Sequence, residues 1–380
     1  KGSLSFGAVT VADKLAWAQS GEPHFYLHVF LKGGADSTYL FDSRAQSMRA
    51  AEKFHSYRES DAVQWTGVNG GKALVSDIAK ALAPHKDQFS ILNGVHMAAL
   101  FDGHPQNVNF FSTGSATGGT LFATDFPKDL QTSLAFILRG NLNNAESSSM
   151  NQGIKLEPRV AATLTDLFKK TKTSYVDGLA DKYIGSRASS CAGQDSFGVG
   201  CTSYLDGLNQ EGTVAKKLKE MEFADHGDNL WKNSLDMVHQ YFQNSVAKSA
   251  ILSMNYDLDT HDAVAAKDQP NRFKVIVDDL DYLFKYLKDT PFDSTRSMND
   301  VTTVVINSEF TRTARQVDMP IGETGTDHNQ FGNSVIIGGK GIQTGMIVGA
   351  TDLDTLTPEG EFEHVSQAHM SIDKKLVKPM

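Results

Sequence analysis

The stretch Val301 to His328, VTTVVINSEFTRTARQVDMPIGETGTDH, constrains the fold of this chain more than any other. A β-branched run ends on an acid, Glu309; an arginine-bearing turn with Arg312 and Arg315 follows, and a loop then delivers Asp327 and His328. A short buried strand with carboxylate and imidazole at its C-terminal end is where an open parallel sheet places its chemistry.

Other stretches repeat the pattern. His24 to Leu31, HFYLHVFL, is strongly β-prone and stops at Lys32-Gly33-Gly34-Ala35-Asp36, where glycines let the backbone turn sharply and come close to a ligand. Phe89 to Val95 is a second buried strand and leads to His96, Asp102 and His104. Ile251 to Tyr256 is a third and closes on Asp257-Leu258-Asp259-Thr260-His261. Asn333 to Gly339 and Met346 to Gly349 read as further short strands.

Helical spacing is clearest in Arg272 to Lys288, with apolar residues at Val275, Ile276, Leu280, Leu283, Phe284 and Leu287. Ala73 to Leu82 fits a helix, and residues 42 to 70 read as an irregular excursion with a short helix. Phe126 to Leu138, Leu156 to Ile184, Thr213 to Glu222 and Leu230 to Ser249 also read as helical. The block from about 125 to 250 is therefore expected to be a helical insertion or layer. Strand alternating with helix implies an α/β fold: a three-layer sandwich whose mostly parallel sheet is covered on both faces.

In such a sheet the strand ends lie on one edge, which brings Asp36, His104, Asp259, His261, Glu309, Asp327 and His328 within reach of one another. Taken singly each has an ordinary alternative: Asp36 as a turn residue, His261 and His328 as loop caps beside Asp259 and Asp327, His104 as a loop residue beside Gly103 and Pro105. Taken together, so many carboxylates would raise one another's pKa unless cations stood among them. One or two divalent ions resolve this, and mixed oxygen and nitrogen donors suit zinc, manganese or iron better than magnesium or calcium. A pair of metals roughly 4 Å apart would clamp a phosphoryl-like oxyanion. Arg312 and Arg315 are candidate oxyanion ligands, with a solvated surface role as the alternative for each.

The formal net charge of −9 gives no long-range attraction to nucleic acid or anionic lipid, so an anionic substrate needs local help from metal or arginine. No apolar run approaches the roughly 20 residues that cross a bilayer. Cys191 and Cys201, in the Gly/Ser-rich SSCAGQDSFGVGCTSY, could close a disulfide loop, stay free thiols, or form half of a metal site; the loop composition favours the disulfide and thus an exported protein. The opening KGSLSFGAVTVADKLAWAQSGEP resembles the part of a twin-arginine export leader after its paired arginines, with Ala16-Trp17-Ala18 as a cleavage-like site; an ordinary helix over Val9 to Gln19 is the alternative. The expected organisation is a leader remnant over 1–23 and one α/β domain over 24–380.

The segments Phe30 to Asp36, Leu258 to His261, Ser308-Glu309-Phe310 with Arg312, and Gly325 to His328 followed by Gly338-Gly339 together resemble the successive signatures of domain-of-unknown-function family 1501. That family belongs to the alkaline-phosphatase-like superfamily, which also holds sulfatases. The resemblance implies two metal positions, one held by residues like Asp259, His261 and His328, the other by residues like Asp36 and Glu309, with His104 or Asp327 nearby. It also implies an exported, metal-dependent hydrolase of phosphate or sulfate esters, placed in the periplasm, at the cell surface or outside the cell. Its partner would be a small anionic ester or a sulfated or phosphorylated glycan. This chain departs from the pattern at Gly103-His104, where the family usually carries Ser-His. Three routes follow: His104 attacks, metal-bound hydroxide attacks, or catalysis is lost. In the last case the chain is a non-catalytic envelope protein that binds a glycan, an exported partner or copies of itself.

Overall fold

The computed structural model describes residues 22–42, 62–68, 71–95, 134–139, 154–155, 221–224, 226–254, 256, 258–312, 325–329 and 333–349. In chain order the elements are β1 (Phe25–Leu31), β2 (Ala62–Val68), β3 (Gly71–Ser76), β4 (Phe89–Val95), β5 (Leu134–Arg139), β6 (Ile154–Lys155), α1 (Leu230–Gln243), β7 (Ala247–Met254), α2 (Ala263–Asp289), α3 (Met298–Val301), β8 (Thr302–Ser308), β9 (Thr311–Arg312), β10 (His328–Asn329), β11 (Asn333–Gly339) and β12 (Ile347–Val348).

Eight strands form one sheet in the order β12-β4-β11-β8-β1-β7-β5-β6. The direct pairings are parallel except where β11 meets β4 and β8, so the fold is α/β with a mostly parallel sheet. β1 lies at its centre and is buried along its whole length, which is why FYLHVFL has apolar residues on both faces of the pleat. Phe25, Leu27, Val29 and Leu31 join the main core, whereas Tyr26 packs with Val305 and Val335 in a smaller cluster on the opposite face.

Helices α1 and α2 cover the main-core face. Phe242 of α1 stacks on Phe25 at 4.7 Å between ring centroids, and Phe284 of α2 meets Phe89 at 4.6 Å. The buried stripe of α2 runs Phe273, Ile276, Val277, Leu280, Leu283, Phe284 and Leu287, the three- and four-residue spacing that one helix face requires. Each such side chain contributes about 1.5–3 kcal/mol through burial. Among the described residues no helix is long and apolar enough to cross a membrane.

Several local expectations are corrected. Residues 62–68 form a strand, not an irregular excursion, and pair with β3 in an antiparallel hairpin with Val63 opposite Val75 and Trp65 opposite Ala73. The helix expected over Ala73 to Leu82 is instead β3 followed by a 3-10 turn, Ile78–His85; cross-strand pairing claims residues whose spacing also suited a helix. Leu134 to Leu138 lie in β5, paired with β7, and not in a helix. The helix from Leu230 stops at Gln243, capped at Asn244 and followed by Ser245 at φ 51°, so that Ala247 onward enters the sheet. The block between 125 and 250 therefore supplies strands β5, β6 and the start of β7 as well as α1. α2 begins at Ala263, nine residues before its apolar stripe was legible, and Val275 faces outward at 41% exposure.

What matters for the site is register. Leu31 pairs with Met254 on one side and Ser308 on the other, so β1, β7 and β8 end side by side. The segments after them leave the sheet from one edge.

Candidate metal centre

Three loops meet there, and backbone bonds tie them together. Leu258 N donates to Lys32 O at 3.0 Å, joining the loop after β7 to the loop after β1. Thr326 N donates to Thr260 O at 2.8 Å, Gly325 N to His261 O at 3.2 Å, and the Thr260 and Thr326 hydroxyls lie 2.7 Å apart. Gly325 is required at this seam, because a Cβ there would lie 1.7 Å from Thr260 O. Asp262 then caps α2 by accepting from Ala265 N at 2.8 Å, which fixes where His261 stands.

The seam brings His261, Asp327 and His328 together, with one potential ligand atom from each inside a 4.8 Å group. His261 Nε2 lies 2.9 Å from His328 Nε2, and His261 Nδ1 lies 3.7 Å from Asp327 Oδ1. Asp259 Oδ1 stands 3.6 Å from His261 Nε2. The side chains of His261 and Asp327 are 40% and 43% exposed, so the cluster is open to solvent. His328 leans on Phe310, ring centroids 4.2 Å apart.

Beneath this open group lies a buried layer. Arg312, fully buried, directs Nε and Nη2 at Gly33 O and Nη2 also at Asp259 Oδ1, 2.9 Å away. Burial pulls its pKa below the ordinary value, while Asp259, Glu309 and Asp327 push it back up; a guanidinium stays charged throughout. β9 and β10 pair with Arg312 opposite His328, which sets the strand that carries the cation beside the one that carries the imidazole. Glu309 is also fully buried: Gly33 N donates to its Oε1 at 2.8 Å, and Ser308 Oγ lies 2.9 Å from its Oε2. Ser308 Oγ is also 2.6 Å from Leu31 O, so its single proton serves one of the two acceptors. Asp36 accepts from Thr38 N at 3.1 Å and from Thr38 Oγ1 at 2.7 Å as the cap of a 3-10 turn.

Of the residues singled out from sequence, then, His261, Asp327 and His328 form one group with Asp259 beside it, while Glu309 and Asp36 bond to the glycine turn and to the turn after it. His104, Gly103, Arg315, Cys191, Cys201, His96, Asp102 and the opening segment 1–21 lie outside the described residues. Gly325, Thr260, Thr326 and Phe310 stand in the signature segments, but sequence reasoning assigned none of them a task in joining the loops. The pair Gly325-Thr326 directly before Asp327 was the available signal, since a glycine is needed where two backbones touch.

The donor set fits a divalent ion. Two imidazole nitrogens on a tetrahedral ion with bonds of about 2.0–2.1 Å stand about 3.3 Å apart, close to the 2.9 Å between His261 and His328. A candidate His/Asp metal site is thus present; its donors do not select one metal.

Two solved structures resemble the chain distantly. An alkaline phosphatase from the Antarctic bacterium TAB5 is 12% identical, with 86% of this chain and 94% of that chain covered at a TM-score of 0.26. A histidine-to-glutamate mutant of the TAB5 enzyme with magnesium bound is 12% identical, with 92% and 99% covered at a TM-score of 0.27. No curated protein matches. Residues 250–378, which carry Asp259, His261, Glu309, Arg312, Asp327 and His328, match the family model described as "Protein of unknown function (DUF1501)".

Proposed function

We propose that the chain is an exported metal-dependent hydrolase of phosphate or sulfate esters, centred on His261, Asp327 and His328. The observation that carries the reading is the meeting of those three side chains, from loops far apart in sequence, on the open edge where β1, β7 and β8 end together. Asp259, Glu309 and Asp327 all act on a single buried guanidinium, Arg312, so the edge carries more negative than positive charge among these groups and suits a cation. Zinc, manganese or iron fits two imidazoles and a carboxylate better than magnesium or calcium.

When bound, a divalent ion supplies positive charge for the ester's oxyanion and lowers the pKa of a water nucleophile. The chain's own residues divide the remaining work. His261, Asp327 and His328 hold the ion toward solvent; Asp259 stands next to them; Glu309 secures the Gly33 turn from below. Arg312 has no exposure to solvent and directs Nε and Nη2 at Gly33 and Asp259, so it supports the ligands instead of gripping the substrate. The substrate class is a small anionic ester or a sulfated or phosphorylated glycan. Export to the periplasm, cell surface or exterior belongs to the same proposal and is supported by the leader-like opening segment.

The test is elemental mass spectrometry of protein purified without chelator, on wild type and His261→Ala, followed by assays with p-nitrophenyl phosphate and p-nitrophenyl sulfate. One or two equivalents of transition metal, lost in the variant, with ester hydrolysis that follows metal content, is the expected result. Protein that neither contains nor takes up metal would overturn the metal centre. Metal without hydrolysis of either ester would turn the site into a binding site.

A further inference from the structure

We infer that Arg312 is a positioning residue: it holds Asp259 as a fourth ligand beside His261, Asp327 and His328 and locks that ligand to the Gly33-Gly34 turn. The inference rests on the metal reading above and goes beyond it by giving Arg312 a task at one remove from the ion.

Asp259 reaches from one environment to another: its side chain is 38% exposed and stands 3.6 Å from His261 Nε2, yet the same Oδ1 accepts from the fully buried Arg312 at 2.9 Å. The guanidinium is in turn fixed by Gly33 O, by the Phe310 ring 5.3 Å from its central carbon, and by the space left at Gly34. A Cβ at Gly34, where φ is 83°, would lie 2.8 Å from Arg312 Nε and 2.3 Å from Phe310 Cε2. A planar fork can meet a carbonyl and a carboxylate at once, which a single ammonium on a flexible stem cannot do with the same geometry. Arg312 Nη1 is buried without a hydrogen-bond partner.

The prediction is coupling. Zinc affinity is measured by competition with a chromophoric chelator for wild type, Arg312→Lys, Arg312→Met, Asp259→Asn and the two double variants, with apo-state thermal unfolding recorded in parallel. Loss of a residue that orients a ligand lowers metal affinity about 10- to 100-fold, and Arg312→Met and Arg312→Lys are both expected in that range. In the Asp259→Asn background the same changes are expected to cost no more than about twofold, because the residue acted upon is already gone. If Arg312→Met does not fold, Arg312→Lys and its double variant carry the test. Losses that multiply in the double variants, or single variants with wild-type affinity, overturn the inference while leaving the metal centre intact. A wild-type protein that binds no zinc overturns the metal reading itself and this inference with it.

Discussion

His261 and His328 point Nε2 to Nε2 across 2.9 Å, although 67 residues separate them in the chain. Two neutral imidazoles can share one hydrogen bond in this position, and a cation can take both lone pairs. Their rings lie 4.7 Å apart and neither is enclosed, so the approach is not forced by core packing. It follows from the seam between Thr260-His261 and Gly325-Thr326 that carries them.

The first prediction concerns His328. Replacing it by Ala removes one nitrogen donor and leaves the β9–β10 pairing, which is made by backbone. Metal affinity is expected to fall by more than the roughly 100-fold that marks loss of a supporting partner, with little change in apo-state unfolding temperature. Isothermal titration with zinc reads this directly. Unchanged affinity would show that the ion, if any, is held elsewhere.

The seam itself can be opened at one atom. In Gly325→Ala the new methyl would sit 1.7 Å from Thr260 O, and because both sides are backbone the loops must part. A loss of about 1–3 kcal/mol in stability is expected from the forced shift, together with loss of metal binding. Denaturant unfolding and zinc titration on the same sample separate the two effects. If stability drops while affinity holds, the seam is not what sets the ligand geometry.

Much of this arrangement is legible in the sequence, and the part that is not has an identifiable reason. β1, β4, β8 and β11 announce themselves because each is a buried apolar run with glycine or a polar residue at its end. Strand β2 does not, because it follows a polar stretch that reads as irregular, and β3 and β5 do not, because their spacing suits a helix as well as a strand and only partners elsewhere in the chain decide. At the edge, strand ends reveal which residues leave the sheet together but not which way each one turns. Asp259 and Asp327 reach the open side, whereas Glu309 and Asp36 turn back to backbone N–H groups. That choice depends on the register of Leu31 with Ser308 and on the positive φ of Gly33, 103°, which aims an N–H at Glu309. Arg312 reads equally as an oxyanion ligand or a solvated surface cation until it is seen packed where Gly34 has no Cβ.

Glu309→Gln tests the buried layer. Gly33 N donates to Oε1, Ser308 Oγ lies beside Oε2 with one proton to divide between it and Leu31 O, and an amide keeps one acceptor oxygen while losing the charge. A loss of about 1.5–3 kcal/mol is expected, the range for a hydrogen bond to a charged group. Equilibrium urea unfolding of the apo protein is the measurement. If stability is unchanged but one equivalent of metal disappears, Glu309 serves as a ligand in a second metal position and the anchoring role assigned to it fails.

The last prediction is about pH and lies away from the metal centre. His28 is buried in β1 with Nε2 2.5 Å from Asn307 Oδ1; burial lowers its pKa to about 4, against the bond to Asn307, which raises it. The neutral ring can donate that hydrogen bond without carrying charge into the sheet. In the unfolded chain the same group titrates near 6.5, so between about pH 6.5 and pH 4 the unfolded state binds a proton that the folded state refuses. Stability contributed by the neutral ring is complete above pH 6.5 and drains as pH falls, by about 1.4 kcal/mol per pH unit and about 3 kcal/mol across the window. His24, also lowered to about 4, chiefly by burial and further by Lys340 and Lys248, adds a second contribution of the same sign. Urea unfolding at pH 7, 6 and 5 should show this fall in wild type. In His28→Gln, which keeps a donor toward Asn307 but cannot titrate, the slope should be smaller by close to one proton. Equal slopes in the two proteins would mean that His28 carries its proton in the fold and that the sheet centre tolerates a charge.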